Sequence, residues 1–231
     1  MDPQNLALRL AEVRRRIGAA AAAAGRSAQS VTLLAVGKAH PVEALAAAAD
    51  LGLTNFGESY LSEALPKIAA LQERDLSWHY IGRIQANKTR PIAESFAWVH
   101  GLDRLKVAER LAEQRPFHAP PLNVCLQVNL ARESTKGGVE PAEVPALAHA
   151  VAALPRLKLR GLMCLPPAED DPARQRHWFA LLHALYGELN RAGAGLDTLS
   201  MGMSDDFDAA IAEGSTLVRL GTVLFGPRPV Q

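Results

Sequence analysis

Eight short, mostly apolar runs alternate with helical segments along this chain, and this alternation restricts the possible folds more than any other feature. The runs cover residues 31–37, 54–57, 77–82, 97–102, 122–130, 157–165, 198–203 and 215–225. Strands that alternate strictly with helices form a parallel sheet. Eight such units predict an α/β fold, a single (β/α)8 TIM barrel. A doubly wound open sheet is the alternative.

The segment before the first run predicts an amphipathic helix that packs on the barrel. Apolar residues recur in it at spacings of four and three, which places them on one face of a helix: Leu6, Leu10, Val13 and Ile17. Gly25 ends this helix. No linker rich in Gly, Ser or Pro divides the chain. We therefore expect residues 1–231 to form one domain, with residues 1–25 as its N-terminal helix.

Composition argues against several classes of partner. The 25 basic and 24 acidic residues leave a net charge of +1, which offers no general attraction for nucleic acid or an anionic membrane. Two isolated cysteines, Cys125 and Cys164, form neither a disulfide framework nor a metal motif and indicate a reducing compartment. No apolar run is long enough to span a membrane, and the alanines of 19–24 are too weakly hydrophobic for a signal peptide. These features predict a cytoplasmic protein.

A lysine ends the first strand-like run. The carboxyl ends of barrel strands carry the chemistry of this fold, and Lys38 places a primary amine there. In a partly desolvated position such an amine loses its proton more readily and can attack an aldehyde to form a Schiff base. A solvated lysine in a strand-to-helix loop is the other interpretation.

The ends of runs seven and eight offer a phosphate site. Many barrels bind phosphate between the loops after these strands. Ser200 and Ser204 flank a glycine just before a helix, and Gly221 stands beside the hydroxyl of Thr222. Glycines and serines that simply permit tight turns are the alternative.

Arg219 interrupts the apolar run 217–221 and shares a face with its two ends. A buried guanidinium requires a partner, because an unpaired one would cost several kcal/mol. That partner is either a core carboxylate or an acceptor on a ligand.

Other polar residues give weaker signals. His79 lies within run three as either a pocket residue or a satisfied core histidine, and no second histidine joins it at metal-ligand spacing. We therefore predict no metal site. Lys136, in the loop after run five, is either a solvated lysine or a pocket cation.

Seven ordered motifs resemble those of the pyridoxal phosphate homeostasis proteins, the YggS/PROSC family. The resemblance runs from Val31 to Arg228. The motifs are Leu34-Ala-Val-Gly-Lys38, Asn55-Phe-Gly-Glu58, Trp78-His-Tyr-Ile-Gly-Arg-Ile-Gln85 with Asn87-Lys88, Ser134-Thr-Lys-Gly-Gly138, Arg160-Gly-Leu-Met163, Leu199-Ser-Met-Gly-Met-Ser-Asp205, and Val218-Arg-Leu-Gly-Thr222 with Phe225-Gly226.

This resemblance implies a barrel of the fold type III class, similar to the barrel domain of alanine racemases, with pyridoxal 5′-phosphate as cofactor. Lys38 would carry the cofactor as a Schiff base, and Arg219 would face its pyridine nitrogen. The phosphate would lie at Ser204, Gly221 and Thr222, with Ser200 nearby, and the ring would pack among Asn55, Ile81 and Met163. Lys136 matches a lysine near a possible second vitamer site.

Two positions depart from the family pattern. Gly37 stands where the family has Ser or Cys, and Ser59 where it has Asn. At Gly37 the expected effect is the loss of a side chain beside the Schiff base. At Ser59 it is a shorter polar side chain, which extends less far into the open end of the barrel.

The resemblance implies a binding protein rather than an enzyme. It would store and buffer pyridoxal phosphate and other B6 vitamers and deliver the cofactor to apo-enzymes that depend on it. We expect a monomer. The alternatives are a weak racemase or decarboxylase of fold type III, and a Schiff-base aldolase that acts on a sugar phosphate.

Overall fold

Eight parallel strands form a closed barrel in the order in which they occur along the chain. The computed structural model describes residues 3–133 and 136–227. The strands are β1 (Thr32–Val36), β2 (Asn55–Glu58), β3 (Ser77–Tyr80), β4 (Trp98–Leu102), β5 (Leu122–Val128), β6 (Leu157–Cys164), β7 (Thr198–Ser200) and β8 (Leu217–Leu220). β8 closes the barrel on β1, from Thr32 opposite Leu217 to Ala35 opposite Leu220. The predicted barrel is confirmed, and the open sheet was the wrong alternative.

One helix precedes the barrel and one follows each strand. The helices are α1 (Pro3–Ala23), α2 (Val42–Asp50), α3 (Leu61–Ala70), α4 (Thr89–Ser95), α5 (Leu105–Gln114), α6 (Val144–Ala152), α7 (Pro172–Arg191), α8 (Phe207–Ala212) and α9 (Thr222–Phe225). Short 3-10 helices lie at Ala28–Ser30, Ala86–Lys88 and Pro141–Glu143. Within the described ranges, no helix is both long and apolar enough to cross a membrane.

The parallel strands give the barrel two chemically different ends. All loops that follow β1 to β8 lie at one end, which we call the mouth. The first residues of the strands, such as Thr32, Asn55 and Thr198, lie at the other end, which we call the base. Residues at the ends of different strands therefore meet only if they lie at the same end of the barrel.

The last two strands are shorter than the sequence predicts. β7 stops at Ser200 because the chain turns at Gly202, which has a φ of +97°. β8 stops at Leu220, and the next residues form α9 because the Phe225 N–H donates to the Gly221 carbonyl oxygen (2.7 Å).

The N-terminal helix covers one side of the barrel, as predicted. Its apolar face is buried: Leu6, Leu10, Val13 and Ile17. Val13 and Ile17 belong to a core cluster that includes Phe207 of α8 and Val218 of β8. The helix ends before Gly25, whose φ of +68° favours glycine.

Gly161 sets the distance between β6 and β7. A Cβ there would lie 1.7 Å from the Thr198 carbonyl oxygen, so Gly161→Ala must push the two strands apart. We expect this substitution to lower the free energy of unfolding by about 2 kcal/mol or more in urea titrations. Gly187→Ala in α7, where an added Cβ meets nothing within 4 Å, is the matched control. It should raise stability by about 0.5–1 kcal/mol, and equal effects of the two would contradict the strand register.

Candidate functional site

Lys38 lies at the mouth just after β1 and is half-buried. Helix α3 holds the backbone on both sides of it. The Gly37 carbonyl oxygen accepts a hydrogen bond from Lys67 Nζ (2.9 Å), and the Ala39 N–H donates to Glu63 Oε2 (2.7 Å). Ala39 has a φ of +63°, an uncommon backbone conformation for alanine that these contacts support. The structure therefore fixes the loop that carries the amine.

A buried ion pair lies next to this loop. Lys67 Nζ donates to Glu58 Oε1 (2.8 Å), and Glu58 is fully buried. Burial raises the pKa of the Glu58 carboxyl above its ordinary value, while the charge of Lys67 and, more weakly, that of Lys38 oppose the rise. Lys38 and Glu58 are thus electrostatic neighbours. Among the described residues, Glu58 Oε2 has no hydrogen-bond partner.

The ion pair explains the glycine before Lys38. A Cβ at Gly37 would lie 2.8 Å from Glu58 Oε1 and 2.9 Å from the Leu45 side chain. A side chain at this position would therefore meet Glu58 and Leu45, which explains why this chain has glycine before Lys38. Ser59 is half-buried and lines a cavity of about 300 Å³ at the mouth, together with Tyr60, Arg83 and other residues.

Arg219 is buried inside the barrel near the mouth, at 4% exposure. Its Nη1 donates to the carbonyl oxygen (2.6 Å) and the hydroxyl (2.8 Å) of Ser200, and its Nη2 donates to the Cys164 carbonyl oxygen (2.9 Å). Burial lowers the pKa of the guanidinium. These partners are neutral, so the core carboxylate considered above is not the partner. A guanidinium has five N–H groups, and the other two have no hydrogen bond to any described residue.

Two of the predicted cofactor contacts lie elsewhere than expected. Ser200, expected near the phosphate, is fully buried beneath Arg219, and its hydroxyl accepts a hydrogen bond from the guanidinium, so it supports the arginine. Asn55 is the first residue of β2 and lies at the base, where its Oδ1 is 3.1 Å from His79 Nε2. The prediction that Asn55 packs around the ring placed it at the wrong end of the barrel. Its motif begins at the base, and only Glu58 and Ser59 reach the mouth.

The remaining predicted residues meet at the mouth. Ser204 Oγ accepts a hydrogen bond from the Val223 N–H (3.3 Å), which joins the loop after β7 to the start of α9, beside Gly221 and Thr222. Ile81 extends inward, since a Cβ on Gly57 would lie 3.3 Å from its Cδ1. Met163 is buried near the end of β6, in register with Ser200.

Lys136 lies at the rim of the mouth. Its Nζ donates to the Pro166 carbonyl oxygen (3.1 Å) and pairs with Glu133 Oε1 (2.9 Å), which links the loops after β5 and β6. Ser134 and Thr135 of the predicted loop motif, and Arg228 at the end of the resemblance, lie outside the described residues.

The buried histidines and cysteines belong to the core. Burial lowers the pKa of His79 to about 3, and His79 bonds to His100, a residue that the sequence analysis missed. Both interrupt neighbouring apolar strands, and that shared feature could have revealed the pair. Burial raises the pKa of the Cys125 and Cys164 thiols to about 12. Among the described residues no three His, Cys, Asp or Glu side chains gather as metal ligands do.

The fold and the lysine after the first strand define a class of protein. The family described as the alanine racemase N-terminal domain matches residues 8–229. An alanine racemase from Clostridium difficile 630 shares this fold with a TM-score of 0.75 at 16% identity, over 99% of this chain and 58% of that chain.

Relatives of higher sequence identity show which family within this class the chain belongs to. The pyridoxal phosphate homeostasis protein of Pseudomonas aeruginosa is 56% identical over 223 residues, 96% of each chain. The protein of that name from Escherichia coli K12 is 48% identical over 227 residues, 97% of each chain. A solved structure of PipY from Synechococcus elongatus PCC7942 with PLP bound has a TM-score of 0.84 at 36% identity, over 96% of this chain and 100% of that one. This chain therefore belongs to the pyridoxal phosphate homeostasis protein family.

Lys67→Met tests the buried ion pair. It leaves the Glu58 charge unpaired, and we expect a loss of about 3–5 kcal/mol in the free energy of unfolding at pH 8. Burial raises the pKa of Glu58 above its ordinary 4.5, so the folded state holds that proton more tightly than the unfolded chain. The loss should therefore shrink as the pH falls through the raised pKa toward 4.5, where the folded protein takes up the proton.

Urea unfolding at pH 8 and pH 5 measures this difference. Arg74→Met is the control, because Arg74 pairs with Asp50 (2.6 Å) at the surface and should cost less than about 1 kcal/mol. A Lys67→Met penalty that is the same at both pH values would show that Glu58 does not carry the unpaired charge.

Proposed function

We propose that this protein binds pyridoxal 5′-phosphate at the mouth of its barrel and acts as a non-catalytic carrier that stores, buffers and delivers it. The observation that carries the proposal is the buried Arg219, which keeps two N–H donors without a partner among the described residues, in the same mouth as the half-buried Lys38. The names of the relatives and the PLP in the PipY structure support the choice of ligand.

The residues at the mouth fit the functional groups of this cofactor. Bound there, pyridoxal phosphate would supply an aldehyde that condenses with the Lys38 amine, with release of one water molecule. Arg219 would donate a hydrogen bond to the pyridine nitrogen. Ser204, Gly221 and Thr222 would hold the phosphate through a hydroxyl and backbone N–H groups, and Ile81 and Met163 would pack against the ring.

The same arrangement favours binding of the cofactor over catalysis with it. Arg219 keeps its proton and can only donate a hydrogen bond, so it would leave the pyridine nitrogen neutral, and the ring would then be a weak electron sink. Tyrosines are candidate second bases. The hydroxyls of Tyr80 and Tyr186 donate to carbonyl oxygens (3.3 and 2.7 Å), and burial raises the pKa of both, which keeps them protonated. Tyr60 is 60% exposed.

We place the carrier in the cytoplasm as a single-domain monomer that also accepts other B6 vitamers and passes the cofactor to apo-enzymes. Lys136 would serve a second vitamer site at the rim, where a ligand has to displace its contacts with Glu133 and Pro166.

Absorption spectra of the purified protein with added pyridoxal phosphate test this function. The wild-type protein should show a visible band that Lys38→Ala abolishes, because that variant removes the amine. Lys136→Ala removes a second lysine of the mouth and should keep the band. A band that survives Lys38→Ala would overturn the assignment. Lysine-dependent racemisation of alanine at about one per second or faster would show an enzyme instead of a carrier.

A further inference from the structure

A continuous chain of hydrogen bonds crosses the inside of the barrel from Arg219 to the base. Arg219 Nη1 is 2.8 Å from Ser200 Oγ, and Ser200 Oγ is 2.8 Å from His100 Nδ1. His100 Nε2 is 3.0 Å from His79 Nδ1, and His79 Nε2 is 3.1 Å from Asn55 Oδ1. Ser200, His100 and His79 are at most 1% exposed. Asn55 lines a cavity of about 340 Å³ at the base.

The arginine end of this hydrogen-bond chain determines which atom donates and which accepts at each link. A guanidinium has no acceptor, so the Ser200 hydroxyl oxygen accepts from Arg219. Among the described residues, His100 Nδ1 is the acceptor within reach of the Ser200 hydroxyl hydrogen. His100 therefore accepts at Nδ1, and in its neutral form it carries its proton on Nε2 and donates to His79.

The asparagine end requires the same direction. Asn55 Nδ2 donates to Thr54 Oγ1 (3.2 Å), which leaves Oδ1 facing His79 Nε2. His79 Nε2 also lies 3.3 Å from Ser77 Oγ, a hydroxyl that can accept or donate. An amide oxygen only accepts, so with this orientation of Asn55 His79 Nε2 carries a hydrogen and its Nδ1 accepts from His100. The two ends thus agree on a neutral, Nε2-protonated form for both histidines. Burial is consistent with this, since it lowers the pKa of His79 to about 3 and that of His100 well below its ordinary value.

The alignment has an electrostatic consequence for the arginine. Each O–H or N–H in the chain points away from Arg219, so the negative end of each dipole faces the guanidinium. Aligned hydrogen bonds also polarise one another inside a protein. These neutral groups therefore stabilise the buried cation, and among the described residues none of its hydrogen-bond acceptors is a carboxylate. The Asp206 carboxylate adds a Coulombic attraction without a hydrogen bond.

We propose that His79 and His100 are positioning residues, which orient the Ser200 hydroxyl so that Arg219 is held with its two remaining N–H groups available at the mouth. This inference rests on the proposed function, because the ligand atom that meets Arg219 is assigned there. It gives the histidines a role beyond filling the barrel core.

Ser200→Ala breaks the chain at its first link and has a matched control. We expect the dissociation constant for pyridoxal phosphate to rise about tenfold and the visible band to shift, because Arg219 loses one acceptor. Ser215→Ala removes another fully buried hydroxyl of the β7–β8 region, which bonds to the carbonyl oxygens of Met201 and Leu217 and not to Arg219. It should leave the dissociation constant within about twofold and the band unchanged. Equal binding by both variants would overturn the proposal.

The role of His100 is tested by conservative rescue. His100→Asn keeps an amide acceptor for the Ser200 hydroxyl, whereas His100→Leu has a similar size and no acceptor. The Asn variant should bind within about threefold of wild type and the Leu variant about tenfold more weakly. If the two variants bind pyridoxal phosphate equally well, and circular dichroism shows that both are folded, the positioning role is wrong.

Nitrogen NMR of cofactor-free protein with 15N-labelled histidine tests the chain without any ligand. We expect two buried neutral histidines with unprotonated Nδ1 and protonated Nε2, and Ser200→Ala should shift the His100 Nδ1 signal. Protons on Nδ1 would refute the direction of the chain. A wild-type protein with these tautomers that does not bind pyridoxal phosphate would refute the proposed function, and the positioning role toward the cofactor with it, while leaving the hydrogen-bond direction intact.

Discussion

A positive charge buried inside a barrel must find acceptors without leaving its strand, and the arrangement around Arg219 follows from that requirement. An unpaired guanidinium in this position would cost several kcal/mol. Its acceptors come from the two preceding strands, the Cys164 carbonyl of β6 and the Ser200 carbonyl and hydroxyl of β7. One side chain therefore links three strands near the mouth. Because every acceptor is neutral, the positive charge persists where a ligand can meet it.

The loop around Lys38 is held in a different way. There the charges are paired with each other: Lys67 bonds to Glu58 and lies 3.7 Å from Glu63, and Glu63 accepts from the Ala39 N–H. The cluster fixes the backbone on both sides of the amine and fills the space where a side chain on Gly37 would lie. The mouth thus combines an amine on the loop after the first strand with an arginine on the last strand. These two strands, β1 and β8, pair with each other and close the barrel.

The barrel and most of the residues at its mouth could be predicted from the sequence. The number of strands, and the end of the barrel at which each loop lies, follow from local patterns. The eight alternating units predicted the barrel, and Lys38, Arg219, Ser204, Gly221 and Thr222 were expected at the mouth where the structure has them. Asn55 was misplaced because the resemblance assigned it to the ring, although the run 54–57 already put it at the start of a strand and therefore at the base. Ser200 was expected near the phosphate, and its role beneath Arg219 depends on a contact between β7 and β8 that a local pattern does not reveal.

Contacts between distant segments were beyond local patterns. The pairing of Glu58 with Lys67 depends on how α3 packs against the loop after β1, and the contact of His100 with Ser200 spans 100 residues of sequence. Each of these side chains, taken alone, is an ordinary polar residue in or near an apolar segment. Only the closed barrel brings them together: Lys67 bonds to the Gly37 carbonyl oxygen beside Lys38, and His100 bonds to the Ser200 hydroxyl that contacts Arg219.

The most direct test of the account is to find the atom that reacts. The protein is mixed with pyridoxal phosphate, reduced with borohydride to make the linkage permanent, digested, and its peptides are mapped by mass spectrometry. We expect one dominant adduct, on the ε-nitrogen of Lys38. An adduct mainly on Lys67 or Lys136, or none on the peptide that contains Lys38, would contradict it.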